Sequence, residues 1–290
     1  MVLVAAFCFA CKGILIKIAY QASSVDAISL LTLRMLFALP FYIGIAWRLP
    51  PGATAQRLSA REWGYLAGVG ITGYYLASYF NFLGLVYITA SLERVLLFIY
   101  PTFVLIMGVF MFGRKIKPMQ YGALALTYAG IGLTFLPNLD NSQQNNLFLG
   151  AFWVIISGIV YAVYLVGSDK FIARVGAQKF TCYAMIAATV PTALHGIVQN
   201  GPASFFNYSL SIYAISGVMA VFVTVLPSFL LAEGIRRIGS GNASILASIG
   251  PIFTIVLASV VLNEYIGLLQ GLGTGLVLAG VVWIGWKGKK

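Results

Sequence analysis

From Val2 onward the chain falls into apolar runs of about 20 residues, each long enough at ~1.5 Å per residue to cross a hydrocarbon layer as a helix. They lie near 2–20, 26–47, 63–86, 89–112, 117–136, 148–169, 178–199, 209–235, 241–262 and 266–286. No other feature constrains the fold as strongly. Hydrocarbon offers no partner to a backbone N–H or C=O, so only helices and closed barrels span it. Barrel strands would alternate apolar and polar residues, and these runs do not. Only 9% of the 290 residues are charged, against about 25% in soluble domains. A water-facing surface cannot be built from that. The sequence predicts an all-α membrane protein of ten transmembrane helices, with the lipid bilayer as its surroundings.

The net charge of +11 would suit a nucleic-acid partner, but its placement argues otherwise. Arg48, Arg57 and Arg61 share one connection, Arg114, Lys115 and Lys117 the next of its kind, and Lys170, Arg174 and Lys179 the third. Arg236 and Arg237 follow, and Lys287, Lys289 and Lys290 close the chain. The alternating connections carry no Lys or Arg, and Lys12, Lys17, Arg34 and Arg94 fall inside spans. Under the positive-inside rule this puts both termini in the cytoplasm. The first run starts at once and is interrupted by Lys12 and Lys17, unlike a cleavable signal peptide. Cys8 and Cys11 form a CFAC string, but a thiolate is disfavoured in a lipid-embedded helix, so it is not read as a redox pair.

The polar stretch PNLDNSQQNN, from Pro137 to Asn146, divides the chain. A shift of 150 residues lays Gly84 on Gly234, Pro101 on Pro251, Gln120 on Gln270 and Gly130 on Gly280, and Pro40 meets Pro191 with one extra residue. Residues 1–136 then form a first five-helix repeat, 137–147 an extracytoplasmic linker, and 148–290 a second five-helix repeat. An odd helix count forces the halves into the membrane from opposite sides. Inverted repeats of this kind are a recurring plan of secondary transporters, with the site near mid-membrane between the halves.

Several strings resemble a known family. LNEYIGLLQGLGTGLVLAGV (Leu262–Val281) is similar to the closing segment of the drug/metabolite transporter superfamily, EamA-type branch. TLRMLFALP resembles its second helix, and ASLERVLLFIYP and NASILASIGP its fourth and ninth. The resemblance covers nearly the whole chain. It implies an inverted five-plus-five bundle that moves small organic metabolites, often outward, with the amino-acid exporters, aromatic ones included, as the nearest branch. Lys12 departs from the pattern, standing where members often carry a small or neutral polar residue.

Lys12 is the first candidate for substrate binding. A lysine at the centre of a span costs about 2.5–3.5 kcal/mol on insertion scales, which a wet cavity, a carboxylate or a substrate must offset. The competing reading is a structural lysine bonded to backbone carbonyls. Matching the first and sixth helices by their exit residues pairs Lys12 with Tyr164 across the halves. Tyr79, Tyr100, Tyr161 and Tyr164 lie too deep for an interfacial aromatic belt. Tyr75 shares the face of Tyr79 at i, i+4. Phenolic hydroxyls on apolar rings suit a ligand with an apolar body and few polar atoms. Ser244 belongs to a polar stripe with Asn242 and Ser248, which ordinary helix packing also explains.

Glu93 and Arg94 lie a turn inside the outer end of their helix, as interfacial anchors or outer-gate residues. Pro101 and Pro251 are candidate hinges, since each removes a backbone bond and pushes on the carbonyl four residues earlier; static bends are the alternative. Gly250, beside Pro251, would loosen the ninth helix. Arg34 reads as a clamp on carbonyls or headgroups, with ligand binding as the alternative. Gly64/Gly68 and Gly267/Gly271/Gly275 read as packing surfaces.

One histidine and seven scattered carboxylates give no metal-ligand spacing, no nucleophile–base pair and no cofactor site, so an enzyme is not expected. Without a GxxxxGK[ST] loop, ATP is not expected as a partner either. A channel usually needs rings of like polar groups. The reading is a secondary transporter exporting amino acids, apolar or aromatic, and related small metabolites by alternating access. Sugars, nucleosides and cationic drugs are the alternative cargoes. A phosphate-bearing cargo would need more than the one basic residue, Lys12, credited to the site. Sequence does not set the oligomeric state.

The loop asymmetry generates a test of topology. In a background without Cys8, Cys11 and Cys182, single cysteines at positions 57, 114 and 179 should label only from the cytoplasm. Cysteines at positions 140 and 202 should label only from outside. Cytoplasmic labelling of position 140 overturns the ten-span arrangement.

Overall fold

The computed structural model describes residues 1–49, 58–112, 118–139, 146–231, 233–234 and 249–287. Every regular element among them is helical. The chain runs through α1 (Val2–Ala22), α2 (Ala27–Arg48) and α3 (Ala60–Gly70). A π-helical turn, Ile71–Leu76, joins α3 to α4 (Ala77–Tyr87). Next come α5 (Ala90–Leu97), α6 (Tyr100–Phe112), α7 (Pro118–Phe135), α8 (Leu147–Val175) and α9 (Ala177–Asn200). α10 (Leu210–Val218) continues into a second π-helical stretch, Met219–Val225. Then follow α11 (Gly250–Leu262) and α12 (Leu268–Lys287). Seven helical segments among the described residues are long and apolar enough to cross a membrane. The protein is an all-α integral membrane protein.

Local chemistry sets the helix ends. Asp26 caps α2 by accepting from the Ser29 amide, and Ser59 and Glu62 form a reciprocal capping box at α3. Gly176 and Gly201, at φ of 83° and 75°, end α8 and α9 in a backbone conformation that costs a side chain-bearing residue more. The start of α5 has an unusual cap. Glu264, from the far end of the chain, accepts from the Ala90 and Ser91 amides at 2.8 and 3.1 Å and from the Ser91 hydroxyl at 2.7 Å. An acid beside the positive end of a helix satisfies N–H groups that lipid cannot.

α2 packs on α9, α4 on α8, α7 on α12, and α1 on α11. The main core gathers Ile16, Leu30, Met35, Tyr42, Phe82 and Met185. Small residues let the backbones close in. A Cβ on Gly84 would meet Val154 at 2.5 Å and the Gly150 carbonyl at 3.0 Å. Gly130 lies against Gly273 and Val277, and Gly280, 150 residues on, lies against Ala123 and Thr127. These two contacts exchange residues that are themselves 150 apart. The glycines expected to pack do not: Gly64, Gly68, Gly271 and Gly275 have nothing within 4 Å of an added Cβ, and Gly267 meets only Tyr265. Four-residue spacing identifies a helix face but not its neighbour, and these faces point outward.

Gly84→Val should therefore force α4 and α8 apart and cost on the order of 1–3 kcal/mol, read as a lower thermal midpoint in detergent. Gly271→Ala should leave the midpoint unchanged or raise it, since alanine is the better helix former. Equal midpoints for wild type and Gly84→Val would refute the close approach.

Candidate functional site

Lys12 sits halfway along α1, half-buried, and no hydrogen bond or ion pair to its ammonium is found among the described residues. The charges it faces are Glu93, Arg94 and Arg34. Gly13, the next residue, brings α1 against α5: a Cβ there would lie 3.4 Å from the Ala90 Cβ and 3.6 Å from Glu93 Oε2. Glu93 is 1% exposed and accepts a hydrogen bond from Asn81 Nδ2 on α4. It does not reach a headgroup. The expectation of an interfacial anchor fails for Glu93 because α5 starts beneath the Glu264 cap, with its first turn already enclosed.

Arg94 points about 100° away around the helix from Glu93. Its guanidinium rests on α11, with Nη2 3.3 Å from where a Cβ of Gly250 would stand. Cys11, Lys12, Tyr100 and Tyr161 are its electrostatic neighbours. Its Nε is buried without a hydrogen-bond partner. Arg34, 6% exposed, has a buried Nε in the same condition, and its Cζ lies 5.1 Å from the Phe82 ring centroid. No hydrogen bond ties it to a carbonyl among the described residues, and an aromatic face lies beside its guanidinium. Three cations thus share this region with one carboxylate among the described residues, so the single-cation premise that set aside a phosphate-bearing cargo does not hold.

The tyrosines divide into two groups. Tyr100 packs edge-on against Tyr161 at 5.4 Å, and Tyr161 stacks on Tyr164 at 5.7 Å. The Tyr164 hydroxyl shares a hydrogen bond of 2.9 Å with Tyr74. Tyr161 and Tyr164 are three residues apart on one face of α8. Tyr74 joins them because of the π turn: Gly73 leaves space that the Tyr164 ring fills, and Tyr74 follows it toward α8. Tyr75 and Tyr79 turn instead to His195 on α9, one by a 2.7 Å hydrogen bond to Nδ1 and the other by an edge contact at 4.9 Å.

So the structure gathers Lys12, Glu93, Arg94, Tyr100, Tyr161 and Tyr164, and sets Tyr75 and Tyr79 apart. Ser244 lies outside the described residues, as do Asn242 and Ser248. Lys12 and Tyr164 do not pair directly; each has its own neighbours, joined through Arg94 and Tyr161. Sequence reasoning missed Tyr74 and Asn81. A lone asparagine inside an apolar run was a visible signal, whereas nothing in the run marked the π turn.

Pro101 lies just after a break. α5 ends at Leu97, Phe98 and Ile99 form a turn, and α6 begins at Tyr100. The Phe98 and Ile99 amides bond three residues back, to the Val95 and Leu96 carbonyls. Gly158 on α8 makes room for the break, with an added Cβ 3.1 Å from Ile99 and 3.8 Å from Tyr100. Pro251 occupies the same second position in α11. A cleft of about 510 Å³ lies elsewhere, between Phe41 and the segment from Val221 to Glu233, and the gathered residues do not line it.

The site thus joins half-buried cations, a broken helix and a tyrosine wall, drawn from both halves of the chain and buried in an apolar bundle. Such an arrangement suits a small polar ligand held away from lipid. The chain is 32% identical to the uncharacterized transporter YcbK of Bacillus subtilis, over 94% of this chain and 88% of that protein. It is 25% identical to an uncharacterized transporter of Archaeoglobus fulgidus, over 93% and 91%. A solved crystal structure shares the fold with a TM-score of 0.68, covering all of this chain and 97% of that one at 14% identity. The EamA-like transporter family profile matches residues 1–136 and 148–286. The chain belongs to that family, and it is a transporter.

Proposed function

We propose that this transporter is a secondary exporter of amino acids with apolar or aromatic side chains, and of related small metabolites, working by alternating access in a bacterial-type inner membrane. The observation that carries the reading is Lys12: a half-buried, unpaired ammonium in the middle of a span. A structural lysine would be tied to backbone carbonyls. This one faces other charges beside a tyrosine wall, so the cost of placing it there is offset by water and by ligand.

The plan behind the reading is ten spans in two inverted repeats, 1–136 and 148–290, with both termini cytoplasmic. Three observations support it. The Gly130 and Gly280 contacts exchange under a shift of 150 residues. Among the described residues each half carries one π-helical stretch, Ile71–Leu76 and Met219–Val225. The family profile stops and restarts around residues 137–147. The break before Pro101, and Pro251 at the start of α11, then serve as the bending points of the two halves. Glu93 and Arg94 stand where α1, α5 and α11 meet, so relative movement of those helices opens or closes the outer side.

Exchange into proteoliposomes tests the reading. Labelled phenylalanine should exchange faster than glucose phosphate or nucleosides. Lys12→Ala should reduce exchange by about tenfold or more at a near wild-type thermal midpoint. Full activity in Lys12→Ala removes this residue from the site, and preference for sugar phosphates overturns the cargo.

A further inference from the structure

The strongest unexplained feature is the charge imbalance around Lys12. Lys12, Arg94 and Arg34 face one carboxylate, Glu93, which already accepts from Asn81 and stands opposite Lys12. The buried Nε atoms of Arg34 and Arg94 have no partner, and Arg34 is 6% exposed. Buried donors without acceptors are costly, and unbalanced cations inside a bundle more so.

A zwitterion does not correct this imbalance, because its two charges cancel. Its ammonium would also have to compete with Lys12 and Asn81 for Glu93. An anion corrects it. Resting on the transport reading above and narrowing it, we propose that the recognised head of the cargo is a carboxylate and that the amino group is dispensable. Lys12 and Arg94 bind the carboxylate, Arg34 adds to the attracting field, and Tyr100, Tyr161 and Tyr164 receive an aromatic or apolar body. The class is organic carboxylates, 2-hydroxy acids with aromatic side chains among them. The tyrosine faces offer apolar area, and the arginine fork offers the paired donors that a carboxylate takes.

Three probes of one shape separate the possibilities: phenyllactate, with a carboxylate and no amine; phenylalanine, with both; and phenethylamine, with an amine and no carboxylate. Binding is read from the thermal midpoint of the purified full chain in detergent, and transport by counterflow in proteoliposomes. Phenyllactate should bind at least as tightly as phenylalanine and about tenfold or more tighter than phenethylamine. Lys12→Met and Arg94→Gln should each remove that preference, with Lys12→Arg restoring most of it. A variant that fails to fold is recognised by its ligand-free midpoint, and the probe ranking on wild type stands without it.

Tighter binding of phenylalanine or phenethylamine than of phenyllactate overturns the proposal. So does the absence of binding by all three at millimolar concentration, or an unchanged preference in both folded charge variants. Phenyllactate binding without counterflow would refute transport of this cargo and leave the recognition intact.

Discussion

The hydrocarbon surroundings, which offer no hydrogen bond to the backbone, are the constraint on which this structure depends. Every departure from a regular helix must be satisfied from within the protein. The departures seen here obey that rule. The start of α5 is capped by Glu264 from the other half of the chain. The π stretch at Met219–Val225 takes the Thr224 hydroxyl onto the Met219 carbonyl, and the Thr224 carbonyl accepts from Tyr42. The break at Phe98–Ile99 keeps its amides bonded three residues back and lies under Gly158. These three irregular segments are each satisfied or covered by the protein itself, and the two around α5 border the site.

The same reasoning explains what was legible in the sequence. Span positions follow from apolar runs, and the depth of Lys12, Tyr100, Tyr161 and Tyr164 follows from counting residues along them. What could not be read was rotation about each helix axis. Tyr75 and Tyr79 share a face at i, i+4 in a regular helix, but the π turn that contains Tyr74 and Tyr75 inserts a residue and brings Tyr74 to the site instead. Gly271 and Gly275 have the spacing of a packing surface and face outward, while Gly273, between them, makes the contact. Glu93 was misread because distance from a helix end measures depth poorly when another segment covers that end. Its 1% exposure follows from the Glu264 cap and the Gly13 approach.

Stability and function draw on different residues. Gly84, Gly130, Gly150 and Gly280 close the bundle by backbone contact, with close packing replacing the hydrophobic effect that lipid does not supply. The charged cluster opposes that closure. A span carrying an unpaired lysine beside two arginines is harder to bury than one without them, and no described contact neutralises all three. Residues that cost stability and make no internal bond are explained by what binds to them. On the proposed reading, the placement of those three cations is the part of the structure that refers most directly to the cargo.

Gly250 ties the cluster to motion. Beside Pro251 in the sequence, it suggests a loosened helix. In the structure its role is space, since the Arg94 guanidinium occupies the volume that a side chain would take. Arg94 belongs to α5 in the first half and Gly250 to α11 in the second, so the contact crosses between them. Any relative movement of α5 and α11 alters the cavity around the guanidinium, and any anion that draws the guanidinium away changes what holds the two helices together. In the proposed cycle Pro101 and Pro251 let those helices bend, and the Arg94–Gly250 contact gives the bend a reason to depend on occupancy. A ligand shifts a conformational equilibrium only by binding the two states unequally. On that proposal an arginine packed on the opposite half in one arrangement, and bound to cargo in the other, supplies the inequality.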